Sequence, residues 1–240
     1  MQQNKKLEIS FFSKYAENDD YNVFTEKTND KIIDFFIFLG KLHNGMVIAD
    51  LGCGSGAFTN VLYQRGYKVT GVDLCSELIK KGKKLYPGLD LRVGDVENLQ
   101  FENECFDAVL LSGILHHLPN PSFCAKEVYR ILKPGGVFIA FDPNRRNPFM
   151  YLYRDPSSPF YSSNGVTANE RPIIAQEISN TFKSIGFTTK IDYLSGLEYR
   201  YIASPLVRVL LPIYNFLDKW LFVPQFLAPF RSFVFTTEIK

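Results

Sequence analysis

The sequence predicts one α/β domain, a mostly parallel sheet covered by helices on both faces, and three observations predict it. Short apolar runs alternate with amphipathic helical stretches from Met46 to Tyr193, the pattern of strands joined by crossover helices. A glycine-rich turn follows the first of those runs and opens the first of those helices. The fourth run, Phe106 to Leu111, is almost wholly apolar, as a strand buried on both faces must be. With 240 residues and 46% apolar content, the chain is long enough to bury its core as one domain.

Each element follows from its local pattern. Asn22 to Leu39 reads as a helix that covers the sheet. Met46 to Ala49 is the first strand, Ala57 to Arg65 its helix, Lys68 to Val72 the second strand and Ser76 to Leu85 the next helix. Leu89 to Val93 is the third strand, and Gly, Pro or Asp marks each of these boundaries. After the fourth strand, Phe123 to Leu132 is amphipathic, Lys133-Pro-Gly-Gly136 ends it, and Val137 to Phe141 is the fifth strand. A long polar connection leads to a helix over Pro172 to Ile185 with proline at its start. Gly186 then precedes the sixth strand, Phe187 to Tyr193, and Ser232 to Ile239 is the candidate last strand.

Composition excludes several classes. A net charge of +2 with scattered Lys and Arg predicts no nucleic-acid contact. Cys53, Cys75, Cys105 and Cys124 form no CxxC pair, which predicts neither a metal site nor a disulfide framework. The polar stretch Met1 to Ser10 lacks a signal-peptide core, so a cytoplasmic protein is expected. Tyr199 to Phe235 is apolar, but Pro205, Pro212, Pro224 and Pro229 cut it and Arg208, Asp218 and Lys219 interrupt it, making a poor membrane span.

Ligands of parallel α/β sheets sit beyond the carboxyl ends of the strands. There the first loop reads Asp50-Leu-Gly52-Cys53-Gly54-Ser-Gly56, and Gly52, Gly54 and Ala57 also satisfy a dinucleotide fingerprint. Acids separate the two readings. Asp50, Asp73 and Asp95 fall at the ends of the first three strands, a repulsive setting for pyrophosphate and a suitable one for a cation. Each acid also has a structural reading as a cap or turn residue.

The run Val47-Ile-Ala-Asp50-Leu-Gly-Cys-Gly-Ser-Gly56 resembles the first motif of class I S-adenosylmethionine-dependent methyltransferases of the small-molecule, type 11-like group. Val69 to Leu74, Gly94-Asp95-Val96, Phe106 to Leu118 and Leu132 to Phe138 are similar to the motifs that follow in that family, in the same order. The resemblance implies a Rossmann-like seven-stranded sheet whose sixth strand is parallel and whose last strand is antiparallel. It implies S-adenosyl-L-methionine as methyl donor, with Gly52 and Gly54 under it, Asp50 on its amino-acid end, Asp73 on the ribose hydroxyls, Asp95 with the Val96 amide on adenine, and Ser112 beside the methionine part. Cys53, Gly56 and Leu74 belong to the same motifs and complete the expected donor set. The expected organisation is one domain: a helical cover over 1–45, a donor-binding core over 46–142, an acceptor-side loop over 143–171, and a C-terminal part over 172–240 with an apolar insertion near 194–231.

Methyl transfer needs alignment and, for a hydroxyl acceptor, a base. His116 and His117 are the candidate bases, with Tyr15 or Tyr21 of the cover as weaker candidates, and each also has a packing or capping reading. The arginine-bearing loop from Asp142 to Arg171 and the apolar segment resemble acceptor regions of methyltransferases of lipid, quinone and cell-surface glycan pathways. That implies a small-molecule or lipid-linked acceptor, with peripheral membrane contact through 199–230. Leu206, Val209, Leu210, Ile213, Leu217 and Leu221 lie close to helical spacing and are equally read as core or dimer contacts, so both a monomer and a homodimer stay open. Two rival functions also stand: an NAD(P)-dependent oxidoreductase and a non-catalytic donor-binding module.

Overall fold

The computed structural model describes residues 3–17, 23–200 and 205–240, with 205–207 described by backbone alone, so Tyr21 and the Leu206 side chain lie outside the described residues. The strands are β1 (Val47–Leu51), β2 (Lys68–Asp73), β3 (Asp90–Val93), β4 (Phe106–Ser112), β5 (Leu132–Pro143), β6 (Thr188–Leu194) and β7 (Phe233–Ile239). They form one seven-stranded sheet in the order β3-β2-β1-β4-β5-β7-β6. β7 runs antiparallel to both of its neighbours, and β1 to β5 are mutually parallel. The order reverses between β1 and β4, so their carboxyl ends frame a crevice.

The helices are α1 (Lys5–Glu17), α2 (Glu26–Gly40), α3 (Ala57–Gln64), α4 (Ser76–Leu85), α5 (Ser122–Ile131), α6 (Pro148–Arg154), α7 (Ala175–Lys183) and α8 (Pro205–Trp220). Strand periodicity decides which face each residue fills. Val109 and Leu111 of β4 join Phe138 and Ala140 of β5 beneath Val128 of α5 and Phe182 of α7. Ala108 and Leu110 join Ile139 and Phe141 on the opposite face, beneath Ile32, Ile33 and Phe36 of α2. Both faces are therefore dry, which is why β4 carries no polar alternation.

Three expectations need correction. Lys133-Pro-Gly-Gly136 does not simply separate a helix from a strand. Leu132 already pairs with Phe106, and the register then shifts so that Val137 pairs with Ala108. The extra residues bulge outward, with Gly135 at φ 77° and its amide bonded to the Lys240 carbonyl. The helix expected from Pro172 begins only at Ala175, because the amides of Arg171 and Ile173 are committed to the carbonyls of His116 and Pro143. Finally, the long connection after β5 contains α6, capped by the Asn147 side chain on the amides of Phe149 and Met150, with Pro148 in the first turn.

Candidate active site

The donor-side loop is shaped by hydrogen bonds between neighbouring strand ends. The amides of Gly52 and Cys53 both donate to the Val72 carbonyl, at 2.7 and 3.0 Å, which folds the chain sharply after β1. Gly52 has φ 72°, and a Cβ there would collide with Ile114, so only glycine fits. The Gly54 and Cys75 amides donate to opposite oxygens of Asp73, each at 2.8 Å. This fixes the carboxylate in the wall while each oxygen keeps a lone pair for a ligand. Burial pushes the Asp73 carboxyl upward, and the two amides work against that shift.

Asp95 sits in the turn after β3, where its Oδ1 accepts the Glu97 amide at 2.9 Å. Its Oδ2 pairs with Lys5 Nζ of α1, which also reaches Glu97 Oε2 at 2.7 Å. Asp50 behaves differently. It is 1% exposed, accepts from Thr59 Oγ1 at 2.6 Å, and lies beneath the loop rather than on any cavity wall. Burial, helped by the nearby Asp73 charge, pushes its carboxyl up to about 6. Gly56 is also off the wall: it opens α3 with φ 85° against Leu91.

A cavity of about 570 Å³ joins the remaining elements. Gly52, Cys53, Gly54, Asp73, Leu74, Asp95, Val96 and Ser112 line it, and so do Tyr15, His116 and His117. Of the sequence-derived site residues that are described, only Asp50 and Gly56 stand back from it.

At the far side of Ser112 the cavity turns polar and then aromatic. His116 Nδ1 lies 2.7 Å from Asp142 Oδ1 at the end of β5, and the His116 amide donates to that same oxygen at 3.1 Å. With Asp142 ionised, that oxygen accepts from the ring as well, which puts the proton on Nδ1 and leaves Nε2 as an acceptor. Burial holds the His116 imidazole well below its usual range, with His117 and Arg154 adding to the effect, and pushes the Asp142 carboxyl up. His116 Nε2 stands 3.8 Å from Glu170 Oε1, the oxygen that Arg154 pairs with.

His117 Nδ1 lies 3.2 Å from Glu8 Oε2 of α1, and the other Glu8 oxygen accepts from Asn169 at 2.8 Å. For Glu8, burial raises the carboxyl, but hydrogen bonds from His117, Asn169 and Thr167 outweigh it and hold the group below its ordinary value. His116, His117 and Glu170 bring ligand-type atoms within 4.8 Å of one another, yet the cation that answers Glu170 is the Arg154 guanidinium. Beyond these groups, Phe141 and Phe233 stack at 4.5 Å, and Phe149, Tyr199, Tyr214 and Leu217 continue an apolar wall.

Asp142, Glu170, Arg154 and Glu8 join the site only in the folded chain. Asp142 carried the same signal as Asp50 and Asp73, an acid closing a strand at the ligand edge. Glu8 and Glu170 carried none, because a helix far upstream and a loop bring them in.

The donor end fits a positively charged nucleoside. Asp73 offers paired acceptors to a diol, Arg154 at the opposite end is the one Lys or Arg lining the cavity among the described residues, and Lys5 behind the donor wall is already paired with Asp95 and Glu97. A seven-stranded sheet of this order, with a glycine loop and acids at its carboxyl edge, has the fold of the class I S-adenosylmethionine-dependent methyltransferases. Residues 49–140 match the family described as "Methyltransferase domain".

The chain is 41% identical over 114 residues to the mitochondrial ubiquinone biosynthesis O-methyltransferase of Rattus norvegicus, a match covering 44% of this chain and 33% of that protein. It is 32% identical over 113 residues to the 2-methyl-6-phytyl-1,4-hydroquinone methyltransferase of Synechocystis, covering 45% of this chain and 36% of the relative. The matches thus span about a third of these relatives' own length. Among solved structures, a SAM-dependent methyltransferase of Thermotoga maritima superposes with a TM-score of 0.61 at 18% identity, covering 96% of this chain and 99% of that one. At that identity the likeness establishes the fold.

Proposed function

We propose that the chain transfers a methyl group from S-adenosylmethionine to a hydroxyl of a small amphiphilic acceptor, with His116 as the base and Asp142 as its positioning partner. The observation that carries this reading is the Asp142–His116 pair, which stands in the wall of the cavity between the donor loop and an aromatic channel, with Nε2 3.8 Å from Glu170 Oε1. Asp73 is assigned to the ribose hydroxyls, Asp95 and Val96 to adenine, Ser112 to the methionine part, and Gly52, Cys53, Gly54 and Leu74 to the surrounding wall. Asp50 and Gly56 act one layer lower, holding the loop in shape.

Bound S-adenosylmethionine supplies a methyl carbon already activated by its sulfonium. The chain's part is to align the acceptor oxygen with that carbon, exclude water and take the proton. His116 Nε2 accepts the hydroxyl proton as the oxygen attacks, and the Asp142 carboxylate holds Nδ1–H and steadies the charge that the ring gains. His117 and Glu8 close the same pocket from the α1 side, and Tyr15 packs on Phe11 nearby at 4.7 Å between ring centroids. The cover over 1–45, the core over 46–142, the loop over 143–171 and the remainder act in this scheme as one unit around one cavity.

Two relatives support the acceptor class, since their names specify ubiquinone biosynthesis and a phytyl-bearing hydroquinone. A hydroquinone has an acidic hydroxyl suited to His116 and an apolar tail suited to the channel lined by Phe149, Tyr199 and Leu217. Radiolabelled methyl transfer to hydroquinones with and without prenyl tails tests this directly. Tailed acceptors turn over faster, and His116→Ala loses turnover while keeping donor affinity. Equal turnover of all acceptors by wild type and His116→Ala would refute the base assignment.

A further inference from the structure

Helix α8 faces two ways. On its inner side, Tyr214 and Leu217 line the cavity, and Asp218 Oδ2 accepts the Gly196 amide at 2.6 Å. On its outer side, Val209 is 78% exposed, Phe216 63% and Trp220 59%, and the turn that follows continues the surface through Val223, Phe226 (78%) and Phe230. This corrects the reading of the segment as ordinary core, since its buried side chains, among the described residues, are Leu211, Asp218, Phe222 and Ala228 instead. A contiguous apolar surface of this kind is uncommon on a protein that meets only water.

Leu210 and Ile213 belong to both sides. They line the cavity and are 51% and 58% exposed, so they stand at its mouth. The cavity therefore opens within the apolar surface itself.

Charge says what fits there. Between 205 and 230 the charged residues are Arg208, Asp218 and Lys219, and Asp218 is fully buried whereas Arg208 and Lys219 are exposed. Between 205 and 230 the surface is thus apolar and positive, without an exposed carboxylate. A two-fold contact with a second copy sets the patch against its own equivalent, which offers no exposed carboxylate between 205 and 230 to answer Arg208 and Lys219. An anionic headgroup layer over hydrocarbon complements both properties, and an aromatic-rich face with basic flanks is what settles at that depth. No helix among the described residues is long and apolar enough to cross a membrane, so the fitting geometry is one lying on the surface.

We infer that the outer face of α8 and the following turn, from Val209 to Phe230, docks the protein on an anionic lipid surface with the cavity mouth at Leu210 and Ile213 opening onto the bilayer. That a tailed acceptor enters by this mouth rests on the function proposed above; the docking does not.

Trp220 is the only tryptophan in the chain, so its emission reports this face alone. The full chain is mixed with phosphatidylcholine vesicles, with or without phosphatidylglycerol, carrying brominated acyl chains. Emission shifts to the blue and is quenched on the anionic vesicles. Phe216→Ser combined with Phe226→Ser weakens partitioning roughly tenfold or more, and Lys219→Glu or high salt weakens it several-fold. Phe216, Lys219 and Phe226 do not line the cavity, so S-adenosylhomocysteine affinity, read by calorimetry, stays unchanged and certifies the fold of the variants. Absence of quenching on anionic vesicles overturns the inference, and equal quenching on neutral ones overturns its anionic part. A blue shift that needs no lipid and grows with protein concentration, with a dimer in sedimentation, assigns the face to a second copy and also overturns it. A chain that binds S-adenosylhomocysteine without quenching loses the docking and keeps the methyltransferase reading; quenching without that binding does the reverse.

Discussion

The two ends of the cavity are built by different kinds of interaction. The donor end is assembled from strand ends that are already neighbours in the sheet, and its polar groups are satisfied by backbone amides: Gly54 and Cys75 on Asp73, Glu97 on Asp95. The acceptor end is assembled from side chains that meet only in the finished fold, such as Glu8 with His117 and Asn169, or Arg154 with Glu170. Backbone-held groups keep their positions whichever ligand arrives. Side-chain pairs are adjustable, which suits the end of the cavity proposed to take the acceptor.

The largest effect that sharpens this contrast belongs to the acceptor end. His116→Ala is expected to lower kcat by about 10²- to 10⁴-fold with donor affinity unchanged, as loss of a general base does. Stopped assays alongside calorimetry separate the two quantities, and a fall in donor affinity of similar size would erase the division of labour. Because burial keeps His116 neutral, kcat should show no loss of base between pH 6 and 8 from protonation of this residue.

Asp50 probes the layer under the donor loop. Its folded-state value of about 6 lies above the model-compound 3.8, so the stabilisation linked to its proton is complete below pH 3.8 and is lost as pH rises through about 6. Asp50→Asn should remove that pH dependence, leaving the variant more stable than wild type at neutral pH by up to about 3 kcal/mol, provided the amide oxygen still accepts from Thr59. Urea midpoints at pH 4 and pH 7 measure it. A constant difference between the two proteins across that range would mean Asp50 is not the group responsible.

Asp73→Asn tests the donor end itself. It keeps the shape but replaces an acceptor by a donor, and is expected to weaken S-adenosylhomocysteine binding by about 1 to 3 kcal/mol. The smallest effect belongs to the latch between the ends. Lys5 and Asp95 are both partly exposed, so Lys5→Ala should change stability by less than about 1 kcal/mol. Its informative readout is affinity: with Lys5 gone, Asp95 is freed and donor binding should hold or tighten, whereas Asp95→Ala weakens it.

The same contrast explains what the sequence reveals. Asp73, Asp95 and the glycines are legible because strand period and turn chemistry place them within a few residues of a strand end. Asp50 is legible as a strand-end acid but not as buried, since only its partner Thr59, in the first turn of α3, decides which way it points. Glu8 is illegible in principle: it meets Asn169, 161 residues away, through tertiary packing that no local pattern encodes. Two local signals do exist for what was not read. Asn147-Pro148 is a cap followed by a first-turn proline and marks α6, and Asp142 closes β5 as Asp73 closes β2. For α8, helical spacing identifies a helix, but its apolar residues point outward as well as inward, and spacing alone cannot say which face is covered.

The claim on which the account turns is that a pocket walled by Asp73 and Asp95 takes a methyl-donor nucleoside and rejects a pyrophosphate-bearing one. Calorimetric titration of the intact chain with S-adenosylhomocysteine and, separately, with NAD measures that choice. The account predicts one-to-one binding of the first, weakened in Asp73→Asn, and no heat from the second. Tight NAD binding with none for S-adenosylhomocysteine would contradict it.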